Sequence, residues 1–83
     1  MTKDDLIVGH TYSAKKRKLV WYLGFDPLVN DRQILHISST MVQYDSPTVK
    51  IGRLRPHIPI HTFLKWAKED VTDEMPNGEW RRG

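Results

Sequence analysis

The most informative stretch of the sequence spans residues 15–25 and reads KKRKLVWYLGF. Four consecutive cations are followed directly by a segment of apolar and aromatic residues. A short segment rich in aromatic and β-branched side chains, ended by Asp26-Pro27, is typical of a β-strand. We therefore predict a strand over Leu19–Phe25 and expect it to be the central strand of the fold.

The two faces of this predicted strand differ in the number and size of their apolar side chains. Side chains alternate between the faces of a strand, which leaves Val20 and Tyr22 on one side. The other side is heavier and is predicted to face the core; it carries Leu19, Trp21, Leu23 and Phe25.

Further strands are predicted on both sides of this segment. Thr11–Ser13 favours a short first strand. Residues 33–38 predict a strand with Leu35 and Ile37 facing inward. A third strand over 41–44 places Val42 and Tyr44 on one face.

The next predicted hairpin has a turn over residues 45–48, where Asp45 suits the first position and Pro47 presets φ near the middle. Residues 49–55 would form its second strand. Strict alternation there would place apolar and cationic side chains on one face. A β-bulge at Gly52 would remove that conflict by shifting the parity, so that Leu54 points inward and Arg53 and Arg55 point outward.

One helix is predicted, over residues 62–72, with Thr62 as its N-cap. Apolar residues recur there at helical spacing and include Phe63, Leu64 and Ala67. Residues 1–75 are predicted to form a single domain, and residues 76–83 are predicted to be a flexible tail.

The composition indicates the size of the domain and the cellular location that we expect for it. A chain of 83 residues has room for one small core. It has no cysteine, which excludes disulfides and thiolate metal sites and favours a reducing, cytoplasmic location. No apolar stretch approaches the ~20 residues that a membrane-spanning helix requires, so no membrane partner is expected.

The order of these features resembles small SH3-like barrel proteins. The residues that carry the likeness are Gly9-His10-Thr11-Tyr12, the basic turn, the Trp/Tyr-rich strand, the hairpin that includes Tyr44, and Phe63-Leu64-Lys65-Trp66-Ala67. Such proteins are common among the accessory genes of bacteriophages and prophages. The resemblance implies an α+β, mostly β fold: a small barrel of four to five short antiparallel strands with one C-terminal helix. It also implies a host-cytoplasm setting, but it supplies no site residues.

The cations suggest a binding function. Lysine and arginine beside exposed aromatic rings grip phosphates and allow bases to stack. The leading hypothesis is weak, sequence-tolerant nucleic-acid binding by a non-enzymatic module. Its predicted site residues are Lys15, Lys16, Arg17, Lys18, Arg53 and Arg55. The two basic segments could form one cationic face, and the hypothesis would be sharply weakened if they lay on opposite sides. The competing interpretation is a solubilising turn, because the net charge is only +3.

A protein partner from the host or the phage is the alternative, bound through Val20 and Tyr22 if that face is uncovered. The chain would be a monomer or a weak homodimer. Catalysis is not expected, because the sequence has no Gly-rich phosphate loop and no nucleophile elbow. No cofactor or metal is predicted: His57 and His61 are separated by Pro59, and no carboxylates cluster near them.

Overall fold

The computed structural model describes residues 1–21, 24–49 and 52–83. In this part of the chain, the structure has seven strands and one α-helix. They are β1 Thr11–Ala14, β2 Leu19–Val20, β3 Leu28–Val29, β4 Arg32–Ile37, β5 Met41–Asp45, β6 His57–Pro59, α1 Ile60–Trp66 and β7 Ala67–Asp70. Short 3-10 segments lie at Lys3–Asp5, Thr72–Glu74 and Pro76–Gly78.

Five strands form one antiparallel sheet in the order β6-β5-β4-β1-β7, and β2 and β3 form a separate hairpin. The helix joins the two edges of the sheet. The Ile60 amide donates to the Thr40 carbonyl at one end of the sheet, and the Trp66 carbonyl accepts from the Lys15 amide at the other. Within the described residues β6 and β7 do not pair with each other, so the sheet is open. The predicted mostly-β α+β class is confirmed.

The core lies between this sheet and α1. Four side chains at its centre, Tyr12, Ile34, Val42 and Phe63, are completely buried. The rings of Tyr12 and Phe63 meet edge to face at 5.8 Å, a geometry that aromatic pairs favour. The predicted core stripe of the helix is therefore confirmed at Phe63, as is the shared inward face of Val42 and Tyr44.

The predicted central strand is wrong. Among its described residues only Leu19 and Val20 form a strand, and they belong to the small hairpin. Its predicted core face is exposed at Leu19, Trp21 and Phe25; Tyr22 and Leu23 lie outside the described residues. The main core cluster is built chiefly by side chains from β1, β4, β5 and α1. Among the described residues of the hairpin only Val29, which was not part of the predicted strand, is buried.

The strand predicted over residues 33–38 is confirmed, and so is the inward position of Ile37, but the inward position of Leu35 is wrong. Ile34 is buried and Leu35 is exposed, the reverse of the prediction for Leu35. The register with β5 shifts between Ile34 and His36, so one extra residue interrupts the alternation. Because of this bulge, Ile34 and Ile37 both pack against the core.

The predicted partner of β5 is also wrong. That partner is β6, His57–Pro59, and Gly52 lies in a turn with φ +84° instead of at a bulge in a strand. Leu54 is 94% exposed, so the predicted inward position is wrong, whereas Arg53 and Arg55 point to solvent as expected. Lys50 and Ile51 lie outside the described residues.

The helix begins and ends earlier than predicted. It spans Ile60–Trp66, and Thr62 lies inside it instead of capping it. Residues 67–70 form β7 because the free edge of β1 needs hydrogen-bond partners, and they pair there from Ala14↔Ala67 to Tyr12↔Asp70. Acidic residues near a helix C-terminus also disfavour extension of the helix into this segment.

Candidate nucleic-acid interface

The basic run Lys15–Lys18 forms the connection from β1 to β2, and all four of its side chains are exposed. Its backbone is held in place at both ends. The Lys15 amide donates to the Trp66 carbonyl at 2.9 Å, and the Lys18 amide donates to the Asn30 Oδ1 at 2.8 Å. The Asn30 side chain also donates to the Lys16 carbonyl at 3.3 Å. A fixed loop therefore presents the cations to solvent.

These four cations carry uncompensated charge. Among the described residues, none of them lies within 4 Å of a carboxylate oxygen, although three arginines, Arg55, Arg81 and Arg82, do. Phosphate binding would not require any of them to leave an existing ion pair.

The second predicted basic segment is placed differently. Arg53 has no ion pair within the described chain, and the Arg55 Nε lies 3.7 Å from an Asp45 oxygen. Continuing the β5–β6 register sets Arg55 opposite Asp45, and Asp45 pairs with Gln33, which pairs with Thr11. Arg55 therefore lies three strand spacings from β1, at the level of Thr11. Lys15 lies four residues farther along the chain than Thr11. These offsets are about 14 Å across the sheet and about 13 Å along it.

The structure therefore does not bring the two basic segments into contact. Two other cations lie nearer the run. Arg17, Lys68 and Arg81 line a small depression of about 140 Å³, and Ser13 and the acidic Glu69 border it as well. Lys68 and Arg81 were not among the predicted site residues. Lys68 lies in residues 46–68, a stretch of the sequence that contains no acidic residue. This charge pattern could have indicated Lys68 as part of a basic site.

Arg81 is held by a buried carboxylate. Its Nε and Nη2 donate to the two Asp31 oxygens at 2.7 and 2.9 Å, and Asp31 is 0% exposed. The hydrogen bonds from Arg81 to Asp31 raise the pKa of the Arg81 guanidinium. Arg81 is charge-compensated, so its main effect is to fix the C-terminal segment in position.

That segment lies against β3. The Val29 amide donates to the Arg81 carbonyl, and the Gly83 amide donates to the Pro27 carbonyl, each at 2.9 Å. Leu28 and Arg82 form an isolated β-bridge between these two bonds. Residues 81–83, which were predicted to belong to a tail, thus extend the β2–β3 hairpin by one short strand.

The far end of this hairpin carries a larger, open depression. Its volume is about 590 Å³, and it is lined by Gly24, Phe25, Asp26, Leu28 and Arg82. The Phe25 side chain is 77% exposed, and Trp21 on the other arm of the hairpin is 71% exposed. The Arg82 guanidinium has two loose, solvent-exposed partners, Asp26 at 3.8 Å and Glu79 at 3.9 Å.

The residues predicted for a protein interface are only partly placed. Val20 is half-buried and pairs with Leu28 in the hairpin, and Tyr22 lies outside the described residues. Among the described residues of the hairpin, the large exposed apolar side chains are Leu19, Trp21 and Phe25.

The Arg32 side chain makes contacts within the domain. Its guanidinium lies 4.4 Å from the Tyr44 ring centre and 4.1 Å from that of Trp66, as cation–π contacts require. Burial lowers the pKa of this guanidinium. Arg32 and Trp66 therefore belong to the packing of the domain.

His10 lies in a hydrogen-bonded network. The His10 Nδ1 is 2.7 Å from an Asp70 oxygen, and the other Asp70 oxygen accepts from the Thr72 amide and hydroxyl. Burial opposes ionisation of Asp70, but the hydrogen bonds from Thr72 and His10 lower the pKa of its carboxyl. No group of three or more metal-ligating side chains occurs in residues 1–21, 24–49 and 52–83.

No helix in the described part of the chain is long and apolar enough to cross a membrane. Comparisons of the chain with protein-family models, curated proteins and solved structures found no match. A functional proposal is therefore based on the charges, exposed side chains and depressions of the chain itself.

Proposed function

We propose that this chain is a non-enzymatic module that binds nucleic acid weakly and with little sequence preference. The observation that carries the proposal is the basic run Lys15–Lys18: four exposed cations on a fixed loop, none within 4 Å of a carboxylate in the described chain. Cations of this kind displace counterions from a phosphate backbone, which gives affinity without sequence readout.

Arg53 and Arg55 are a second, separate contact in this proposal. At an offset of about 14 Å across the sheet and about 13 Å along it, they do not share a phosphate with Lys15. A strand of several nucleotides that crosses this end of the sheet reaches both segments. Arg55 then exchanges its half-buried Asp45 partner, 3.7 Å away, for a phosphate, and partly exposed ion pairs of this kind are weak.

We further propose that the fold is an SH3-like barrel of the type common in bacteriophage and prophage accessory proteins. The strand order supports this, because β1 lies between β4 and the last strand, β7, and β4, β5 and β6 follow as a meander. A host-cytoplasm location and a monomeric or weakly dimeric state belong to the same proposal.

Fluorescence anisotropy with labelled DNA and RNA at low salt tests the proposed binding. We expect Lys16→Glu to weaken binding about tenfold or more, because it changes the charge of the run by two units. Lys3→Glu is the matched control. The Lys3 Nζ lies 3.4 Å from the Ser39 carbonyl, at the opposite end of the sheet from the run.

The control should bind within about twofold of the unaltered chain. An absence of binding by the unaltered protein at low salt would remove the proposal. Equal losses from Lys16→Glu and Lys3→Glu would remove the assignment to the basic run, because they would mean that only net charge matters.

A protein partner is the second candidate function, and the exposed apolar side chains of the hairpin favour it. Leu19, Trp21 and Phe25 present apolar surface to solvent on one short element. In a pull-down from bacterial lysate, a specific partner should be lost with Trp21→Lys and kept with Leu54→Lys, which alters an exposed leucine outside the hairpin. Equal recovery by both variants would contradict this use of the hairpin.

A further inference from the structure

Two aromatic side chains of the hairpin, Trp21 and Phe25, are largely exposed to solvent. Phe63 and Trp66 are packed in the domain, whereas Trp21 and Phe25 are 71% and 77% exposed. No ring or cation in the described residues stacks on either of them. Their ring faces are open to a ligand.

Phe25 also forms one wall of the 590 Å³ depression, with Leu28, Arg82 and Asp26 beside it, and Arg82 would exchange its exposed contact with Asp26 for a phosphate. The volume lies within the range of small-molecule pockets. The bidentate pair between Arg81 and the buried Asp31 fixes the backbone next to Arg82, and the Leu28–Arg82 bridge sets Arg82 beside Phe25. An aromatic ring and a cation thus stand together on a backbone that is already ordered.

The basic run adjoins the same hairpin. Lys18 directly precedes β2, and Trp21 follows three residues later, about 10 Å along an extended chain. Cations and open aromatic rings on one element match the two parts of a nucleotide, its phosphate and its base. Charge complementarity therefore favours nucleic acid over an apolar peptide as the occupant of this surface.

We infer that the hairpin binds single-stranded nucleic acid, with unpaired bases stacked on Phe25 and Trp21 and phosphates on Arg82 and the basic run. This inference rests on the proposed nucleic-acid binding and specifies its ligand. In a duplex, neighbouring base pairs cover the faces of each base, so the two rings have nothing to stack on. Single strands leave those faces free.

The experiment compares labelled single strands and duplexes of about 12 nucleotides, at one low salt concentration, by fluorescence anisotropy. We expect the single strand to bind about tenfold or more tightly than the duplex. Phe25→Ala and Trp21→Ala should each weaken single-strand binding about tenfold and leave duplex binding within about twofold. Both side chains are exposed, so neither change removes a core contact.

Leu54→Ala is the control, because it removes an exposed apolar side chain outside the hairpin and should change neither affinity. Equal affinity for single strand and duplex, or no effect of Phe25→Ala and Trp21→Ala, would overturn the inference. Either result would leave charge-driven binding by the basic run intact. If the unaltered chain bound neither ligand, the proposed function itself would fail.

Discussion

At the residue scale, the pair formed by Asp31 and Arg81 organises the region around the candidate interface. Asp31 is completely buried and receives two hydrogen bonds from one guanidinium. A buried carboxylate left without its partner is costly, because the desolvated charge is then uncompensated. This pair holds residues 81–83 against β3 and so shapes the 590 Å³ depression.

Arg81→Ala should therefore lower the free energy of unfolding by roughly 3–5 kcal/mol, which urea denaturation followed by circular dichroism would measure. Arg82→Ala is the matched control. It removes the same side chain one position later, where both ion pairs are solvent-exposed, and should cost about 1 kcal/mol or less. Similar losses for the two variants would contradict the role given to the buried pair.

At the scale of elements, the sequence predicted the kind of structure better than its location. β1, β4 and β5 were predictable because their apolar residues alternate or are β-branched, and the core position of Phe63 followed from helical spacing. The end of the helix was not predictable, because the residues after Trp66 pair with the free edge of β1 and this requirement is tertiary.

The hairpin was mispredicted for a physical reason. Its apolar residues have the composition of a core strand, and local sequence does not reveal that other side chains already fill the core. The same error hid part of the candidate site. The basic run was visible from charge alone, but the exposure of Trp21 and Phe25 and the placement of Arg82 required the fold.

One contact between elements depends on pH. Asp70 links the end of β7 to the start of β1 through His10 and Thr72, and the Thr72 hydroxyl accepts from the Thr11 amide at 3.0 Å. The pKa of the Asp70 carboxyl in the folded chain is lower than its ordinary value of 3.8. A lowered carboxyl pKa adds stability above the unfolded-state pKa, and that stability is lost as the pH falls through the folded-state pKa.

Asp70→Asn should therefore lower stability at pH 6, and the deficit should shrink as the pH falls below about 3.8. The effect should be modest, because the side chain is about one-third exposed and solvent screens it. Thermal unfolding between pH 6 and pH 3 would measure it, with Asp73→Asn as a control that has no ion pair in the described chain. A deficit that did not change with pH would contradict the assignment.

At the scale of the whole molecule, the formal charge of +3 hides an uneven distribution. Several acids of the C-terminal third are engaged within the fold: Asp70 with His10, Glu74 with Arg81, and Glu79 with Arg82. The basic run has no such partners within the described residues. The basic run therefore carries local positive charge that the total understates, and this charge is the basis of the proposed function.

The most direct test of that claim is the salt dependence of binding to a single-stranded oligonucleotide. The four cations of the basic run, each neutralising a phosphate, by themselves predict a plot of log K against log salt concentration with a slope of about −3. Contacts from Arg53, Arg55 and Arg82 would make the slope steeper. Lys16→Glu should make the slope shallower by about 1 or more. A slope near zero for the unaltered chain would contradict electrostatic binding by the basic run.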